Sequence, residues 1–226
     1  MLVLALDTAT PAVTAGVLQL TADRPPQVRA ERVTVDARAH GELLMPSVQE
    51  ALRAAATRMS ELDAVVCGAG PGPFTGLRVG MVTAAALGDA LGIPVYPVGS
   101  LDAIAHRAGT GSELLVATDA RRREVYWARY DETGIRVHGP HVCRPAEVPL
   151  DGVARVAGAA APDLVAGALE MVTPRVVAPE YPDPAGLVAV AGAALWARTP
   201  PGPLTPLYLR RPDALEPGPP KRVLRV

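Results

Sequence analysis

The chain repeats one plan twice, and that repetition constrains its fold more than any other feature. Residues 2–6 form an apolar run that ends at Asp7; a polar turn through Thr8, Ala9, Thr10 and Pro11 follows, and residues 13–20 return as a second strand. Residues 114–118 form another apolar run ending at Asp119, again followed by a polar turn and by a returning strand over 124–130. A strand-aspartate-turn-strand unit used twice in 226 residues predicts two related lobes rather than one continuous sheet.

Between the two units the hydrophobic period changes. A third strand over 28–35 follows a Pro-rich turn. Then Leu44, Val48, Leu52, Ala55 and Met59 recur every three to four residues and predict a helix over 41–58, with Pro46 in an early turn or at a bend. An apolar strand over 64–69 leads into Gly70-Pro-Gly-Pro-Phe-Thr-Gly76, a second helix over 75–91, a strand over 93–98 and a helix capped at Ser100. Strand, hairpin, strand, helix, strand, helix, strand is the order of an α/β lobe with a mixed sheet. After residue 140 the pattern is sparser: a short strand over 155–159, a helix near 163–170, an amphipathic helix over 184–198 and a Pro-rich, extended tail from Pro200. The expected division is an N-terminal lobe over 1–100 and a C-terminal lobe with its tail over 101–226.

Composition removes several classes of function. A net charge of −1 gives no long-range field to collect a polyanion, and basic runs are limited to Arg121–Arg123 and the last six residues, so strong binding of tRNA by this chain alone is not expected. The only lysine is Lys221, which leaves neither a Walker-type phosphate loop nor a Schiff-base nucleophile in residues 1–220. The first residues carry no basic n-region before Asp7, and the apolar stretch 186–197 is well short of the ~20 residues that span a bilayer, so a cytoplasmic location with no membrane contact is expected. Cys67 and Cys143 make neither a disulfide framework nor a metal cluster, and Cys67 after Val65 and Val66 reads as a buried strand residue.

Few residues could carry chemistry. Asp7, with Thr8 and Thr10 in its turn, either presents polar groups to a ligand at a strand end or bonds its own backbone amides as a turn former. The Gly70–Gly76 loop either cradles an anion with exposed amides or is a rigid strand-to-helix connection capped by Thr75. The helix behind it carries Gly76, Gly80, Ala84, Gly88 and Gly92 at every fourth position, a stripe that lets another backbone approach closely within this fold or on a partner. His40, His106, His138 and His141 form no metal-binding helical pair, with His138 and His141 placed at a strand edge. None of Ser47, Ser60, Ser100 and Ser112 lies in a nucleophile elbow.

Six segments, in this order and spread over most of the chain, resemble the TsaB (YeaZ) family: Leu4-Ala-Leu-Asp-Thr-Ala-Thr10, His40-Gly-Glu-Leu-Leu-Met-Pro46, Gly70-Pro-Gly-Pro-Phe-Thr-Gly-Leu-Arg-Val-Gly80, Val98-Gly-Ser-Leu-Asp-Ala-Ile104, Asp119-Ala-Arg121 with Glu124-Val-Tyr-Trp127, and Pro206-Leu-Tyr-Leu-Arg210. The third run is highly specific to that family. The resemblance implies an actin-like (ASKHA) α/β fold of two related lobes, each with a mixed sheet flanked by helices. It also implies a non-catalytic scaffold or activator subunit for N6-threonylcarbamoyladenosine synthesis on tRNA, dimerising with the catalytic paralogue TsaD and working with the ATPase TsaE.

Departures from the paralogue sharpen that expectation. TsaD holds a metal through a His-x-x-x-His pair on its first long helix, whereas here His40 is followed four positions later by Leu44. Actin-like ATPases place a second Gly-bearing phosphate hairpin in lobe two, where this chain has Asp119-Ala-Arg-Arg-Arg123. The resemblance therefore implies no catalytic residue, no metal ligand and no tightly bound cofactor, with ATP or ADP only at the junction between subunits near Asp7, Thr8, Thr10, Gly72 and Thr75. The expected docking face for TsaD is His40, Leu44, Val48 and Leu52 on the first helix with Gly76, Gly80, Ala84 and Gly88 on the second. The same face would form a homodimer when the chain is isolated, and tRNA would be reached indirectly. The competing readings are an actin-like small-molecule kinase or peptidase-like enzyme of the same superfamily, both lacking residues they require, and a homodimer with no partner enzyme.

Overall fold

The computed structural model describes residues 1–22, 24–166 and 173–210, which form two five-stranded sheets. The first contains β1 (Leu2–Asp7), β2 (Ala12–Thr21), β3 (Arg24–Val35), β4 (Ala64–Gly68) and β5 (Val95–Val98) in the order β3-β2-β1-β4-β5. The first three strands are antiparallel neighbours, and β4 and β5 add in parallel. The second contains β6 (Leu114–Asp119), β7 (Val125–Tyr130), β8 (Arg136–Cys143), β9 (Arg155–Ala157) and β10 (Arg175–Val176) in the order β10-β9-β6-β7-β8, with the same strand directions. The duplication legible around Asp7 and Asp119 thus extends strand for strand across both sheets, and the architecture is the actin-like α/β fold.

Alternation along β1 divides its side chains between two cores. Leu4 and Leu6 face α1 (His40–Ala54) and α2 (Phe74–Leu91), while Val3 and Ala5 face α5 (Pro184–Trp196). Beyond residue 100 in sequence, α5 nevertheless covers the second face of the first sheet. It is apolar on every side rather than amphipathic: Leu187, Val188, Ala191 and Leu195 are buried on the sheet, and Trp196 is 52% exposed. Between the sheets lies α3 (Ser100–Ala108), which sends Ala103 into the core under α5 and Leu101, Ile104 and Ala105 into the core of the second lobe. The far face of the second sheet packs Leu115, Ala117 and Trp127 against Ala161 and Leu164 of α4 (Ala161–Ala166).

Several boundaries differ from expectation. The strand edge expected around His138 and His141 is β8, at the end of the second sheet, where its polar and Gly-Pro content is tolerated because one side of its backbone needs no ladder partner. Pro46 lies in the second turn of α1. The N-cap of α2 is Pro73 and that of α3 is Gly99, neither with a side-chain cap bond, so Thr75 and Ser100 lie inside their helices rather than capping them. The later part of the helix expected over 163–170, the tail beyond Arg210 and Lys221 lie outside the described residues. Among the described residues no helix is long and apolar enough to cross a membrane.

The small-residue stripe of α2 faces the chain's own sheet. A Cβ on Gly76 would stand 2.8 Å from the Thr8 carbonyl oxygen, one on Gly80 2.5 Å from Thr8 Oγ1, and one on Gly88 2.3 Å from Val95 Cγ2. Gly80→Ala is expected to destabilise the protein by about 1–3 kcal/mol in urea unfolding, because the methyl overpacks a fixed contact. Gly192→Ala in α5, where a Cβ meets nothing within 4 Å, is the control. It should stabilise by about 0.5–1 kcal/mol through helix propensity.

Candidate functional site

Asp7 ends β1 at the point where the two lobes meet, and it is fully buried. One carboxylate oxygen accepts the Ser100 hydroxyl at 2.5 Å, and the other accepts the Ala9 amide at 2.8 Å. The β4 backbone presses against it so closely that a Cβ on Gly68 would overlap Asp7 Oδ2 at 1.6 Å. Burial pushes the Asp7 carboxyl up to about 6, opposed by the Ser100 and Ala9 hydrogen bonds and by nearby His40. Neighbouring Cys67 is buried, and desolvation together with the Asp7 charge raises its thiol well above the ordinary range.

The turn after Asp7 is threaded into α2. Thr8 Oγ1 donates to the Gly76 carbonyl at 2.6 Å and accepts the Gly80 amide at 2.8 Å, so one hydroxyl bridges a rung of the helical ladder. Gly72 backs onto Ala9, where a Cβ would meet the Ala9 carbonyl at 2.3 Å. Gly70 has a φ of +93°, which glycine adopts without strain, and its carbonyl accepts the Ser100 amide at 2.8 Å. The loop's glycines are therefore occupied by the chain's own Thr8–Thr10 turn. His40 Nε2 donates to the Thr10 carbonyl at 2.8 Å and closes the same cluster from α1.

Across from this turn stands its counterpart in the second lobe. Asp119 Oδ1 accepts the Arg121 amide at 2.9 Å, the same two-residue reach that Asp7 makes to Ala9, but Asp119 is exposed. The space between the turns, lined in part by Thr8, Thr10, His40, Gly76, Asp119 and Arg121, holds about 30 Å³. That is room for one water, against the roughly 300–1,000 Å³ of ordinary ligand sites.

The turn itself is unusual. Ala120 N–H bonds the Glu124 carbonyl and Glu124 N–H bonds the Arg121 carbonyl, with Arg121, Arg122 and Arg123 at φ of 62°, 52° and 63°. Positive φ at both central residues is the type I′ hairpin geometry usually supplied by Asn-Gly, and arginine there costs roughly 1–2 kcal/mol per residue.

The sequence-expected residues separate into two groups. Asp7, Thr8, Thr10 and Gly72 come together as one buried cluster, whereas Thr75 is exposed on the first turn of α2. The eight residues expected to dock a partner are all buried: His40, Leu44, Val48 and Leu52 on α1, and Gly76, Gly80, Ala84 and Gly88 on α2. Buried positions cannot line a contact, so these side chains belong to the core rather than to a docking surface. Two participants were not singled out from the sequence. Ser100 was read as a cap, and Tyr208 was only a letter in a tail motif. Tyr208 stacks on Phe74 at 5.0 Å and accepts Arg78 Nε at 2.6 Å, while the Arg78 guanidinium lies 3.7 Å over the Phe74 ring. Among the described residues no group of three or more His, Cys, Asp or Glu is arranged to hold a metal.

The family described as TsaD, tRNA N6-adenosine threonylcarbamoyltransferase, matches residues 28–180. An uncharacterized protein of Mycobacterium tuberculosis is 57% identical over 94% of this chain and 93% of its own length. The tRNA threonylcarbamoyladenosine biosynthesis protein TsaB of Escherichia coli is 38% identical over 103 residues, 43% of this chain and 45% of that protein. A Pseudomonas aeruginosa crystal structure with similarity to the peptidase YeaZ superposes with a TM-score of 0.75 at 30% identity, covering 92% of this chain and 99% of the other.

The buried carboxyl makes stability depend on pH in a definite direction. Because the folded pKa of about 6 exceeds the ordinary 3.8, the folded state keeps a proton that the unfolded chain has lost. That stabilisation is full below the unfolded value and is lost as pH rises through the folded one, a swing on the order of 3 kcal/mol. Asp7→Asn retains the carbonyl acceptor for Ala9 and cannot ionise. Urea unfolding of both proteins at pH 4.5 and 7.5 should show the asparagine variant gaining on the parent by about 2 kcal/mol at the higher pH; a difference that does not change with pH would refute the buried-acid reading.

Proposed function

Because the chain belongs to the TsaB (YeaZ) family, we propose that it is a non-catalytic subunit of the machinery that places threonylcarbamoyl on adenosine in tRNA. In this reading it docks on the catalytic paralogue TsaD, works with TsaE in the cytoplasm, and forms a homodimer through the same face when isolated. The observation that carries the reading is the outward side of α2. Phe74 and Val82 are 48% and 66% exposed, Ala85, Ala86 and Ala90 are exposed beside them, and Arg78 and Asp89 are the only charged residues of the helix. A long helix with glycines inward and Val82, Ala85 and Ala86 outward lets a second helix pack at short range, with Arg78 and Asp89 on the same face available to pair with charges on the partner.

Two further features support a scaffold rather than an enzyme of the actin-like kinase type. The interlobe space of about 30 Å³ is far smaller than an ordinary ligand site, which supports placing any ATP or ADP at the junction with TsaD. His40, at the position of a metal ligand in the paralogue, is committed to the Thr10 carbonyl.

The decisive substitution lies on the exposed face. Val82→Glu should leave the unfolding free energy within about 0.5 kcal/mol of the parent. It should abolish co-elution with TsaD and reduce tRNA modification in a reconstituted reaction to the level seen without this subunit. A folded variant that still binds and activates would place the interface elsewhere.

A further inference from the structure

After α5 the chain runs on without regular structure, and between Leu204 and Arg210 it is tied first to one lobe and then to the other. Leu204 packs on the core beneath α1 and α2, the Leu207 amide donates to the Ala69 carbonyl at 3.0 Å, and Tyr208 holds Phe74 and Arg78. One residue further on, Leu209 packs on the core of the second lobe. Arg210 Nη1 then donates to the Ala120 carbonyl at 3.2 Å, and its Nε lies 3.3 Å from the Glu124 carboxylate. These anchors flank the small space between the lobes: Pro73, next to Phe74, lines it on one side, and Asp119 and Arg121, on either side of Ala120, line it on the other. Asp119 bonds the Arg121 amide within its own turn, so its hydrogen bond does not reach across to the Thr8–Pro11 turn. The strap supplies a tie across that gap.

We propose that residues 203–210 are an intramolecular latch: the tail, in place of a bound ligand, holds the two lobes closed on each other, and Arg210 is its catch. The inference goes beyond the docking reading and needs no partner. Because α3 sends side chains into the cores of both lobes, a released strap would leave them joined at a hinge. The two ends of the strap are unequal. The first-lobe end combines an apolar side chain, a backbone hydrogen bond and an aromatic stack. The second-lobe end relies on Leu209 and on a partly exposed ion pair, which is weak and screened by salt. Release therefore starts at Arg210. Prolines at 200, 201, 203 and 206 stiffen the segment, so less entropy is lost when it is laid across the lobes.

Double electron–electron resonance on the full chain tests this, with spin labels at Val33→Cys and Ile135→Cys, one exposed position in each lobe. Cys143→Ala leaves only the buried Cys67 as a native thiol. The parent should show one narrow distance. Arg210→Glu, which sets like charges together at Glu124, should add a second population at longer distance, and adding Glu124→Arg should restore the parent distribution. Tyr208→Ala, which removes the stack and the acceptor for Arg78, should open the molecule as well. Melting curves establish which variants fold; if Tyr208→Ala does not, Tyr208→Phe keeps the ring on Phe74, loses only the bond to Arg78, and should give a smaller shift in the same direction. A parent-like distribution in folded Arg210→Glu overturns the proposal, as does a broad distribution in the parent itself. A shift that Glu124→Arg fails to reverse overturns Arg210 as the catch. With no partner in the sample, failure here leaves the docking reading standing, and failure of that reading leaves the latch to be decided by these distances.

Discussion

The carboxylate of Asp7 is the constraint around which the rest of this structure is arranged. A fully buried acid must have its oxygens satisfied, and here the two partners come from different parts of the chain: the amide of Ala9 two residues on and the hydroxyl of Ser100 at the start of α3. The second bond fixes the first turn of a helix whose far side belongs to the core of the other lobe. Its position also dictates a glycine at 68, since any side chain there would occupy the carboxylate's own space. The Gly70 carbonyl receives the Ser100 amide, so the loop that launches α2 is tied to the same point. One buried acid thereby sets the relation of β1, β4, α2 and α3.

The duplicated lobes show how one motif diverges in burial and in the conformation of its turn. Asp7 and Asp119 close the same turn with the same hydrogen bond, yet one is sealed under a helix and a strand while the other faces solvent. In the first lobe the space a ligand would need is filled by Thr8, whose hydroxyl is inserted between Gly76 and Gly80. In the second, three arginines hold the hairpin in a glycine-like conformation. Hydrogen-bonding capacity that an open cleft would offer to a ligand is used here to join the protein to itself.

Much of the first half was legible because apolar runs ending in Asp, and a helix with apolar residues at every third or fourth position, are strong local signals. The stripe on α2 was legible as a demand for close approach, but spacing alone says nothing of what approaches. The occupant is the chain's own Thr8 turn, a contact between residues 68 and 72 positions apart in sequence. The strand edge at His138 and His141 was legible but the bounds of β8 were not, because Arg136, Gly139 and Pro140 weaken strand propensity and only a place at a sheet edge makes them acceptable. Ser100 looked like a helix cap because capping is what serine does at that position when no buried acid competes for its hydroxyl. The left-handed arginines were invisible for the opposite reason: sequence reasoning expects glycine or asparagine in such a turn, and their absence argued against the geometry that is present.

The two faces of α2 show why inward and outward small residues have different meanings. Gly76, Gly80 and Gly88 are required by contacts already made, so a larger side chain at any of them is a folding problem. Among the described residues Ala85, Ala86 and Ala90 are exposed, and a solvent-facing helix surface tolerates longer, charged residues there. Small apolar residues on a solvent face, next to Val82 and a stacked Phe74, are what the proposed docking of a second helix would use. The inner stripe fixes how close α2 lies to its own sheet, and through the Thr8 bridge it fixes the helix's axial position. That rigidity presents the outer face as a preformed surface, so association need not order the helix as well.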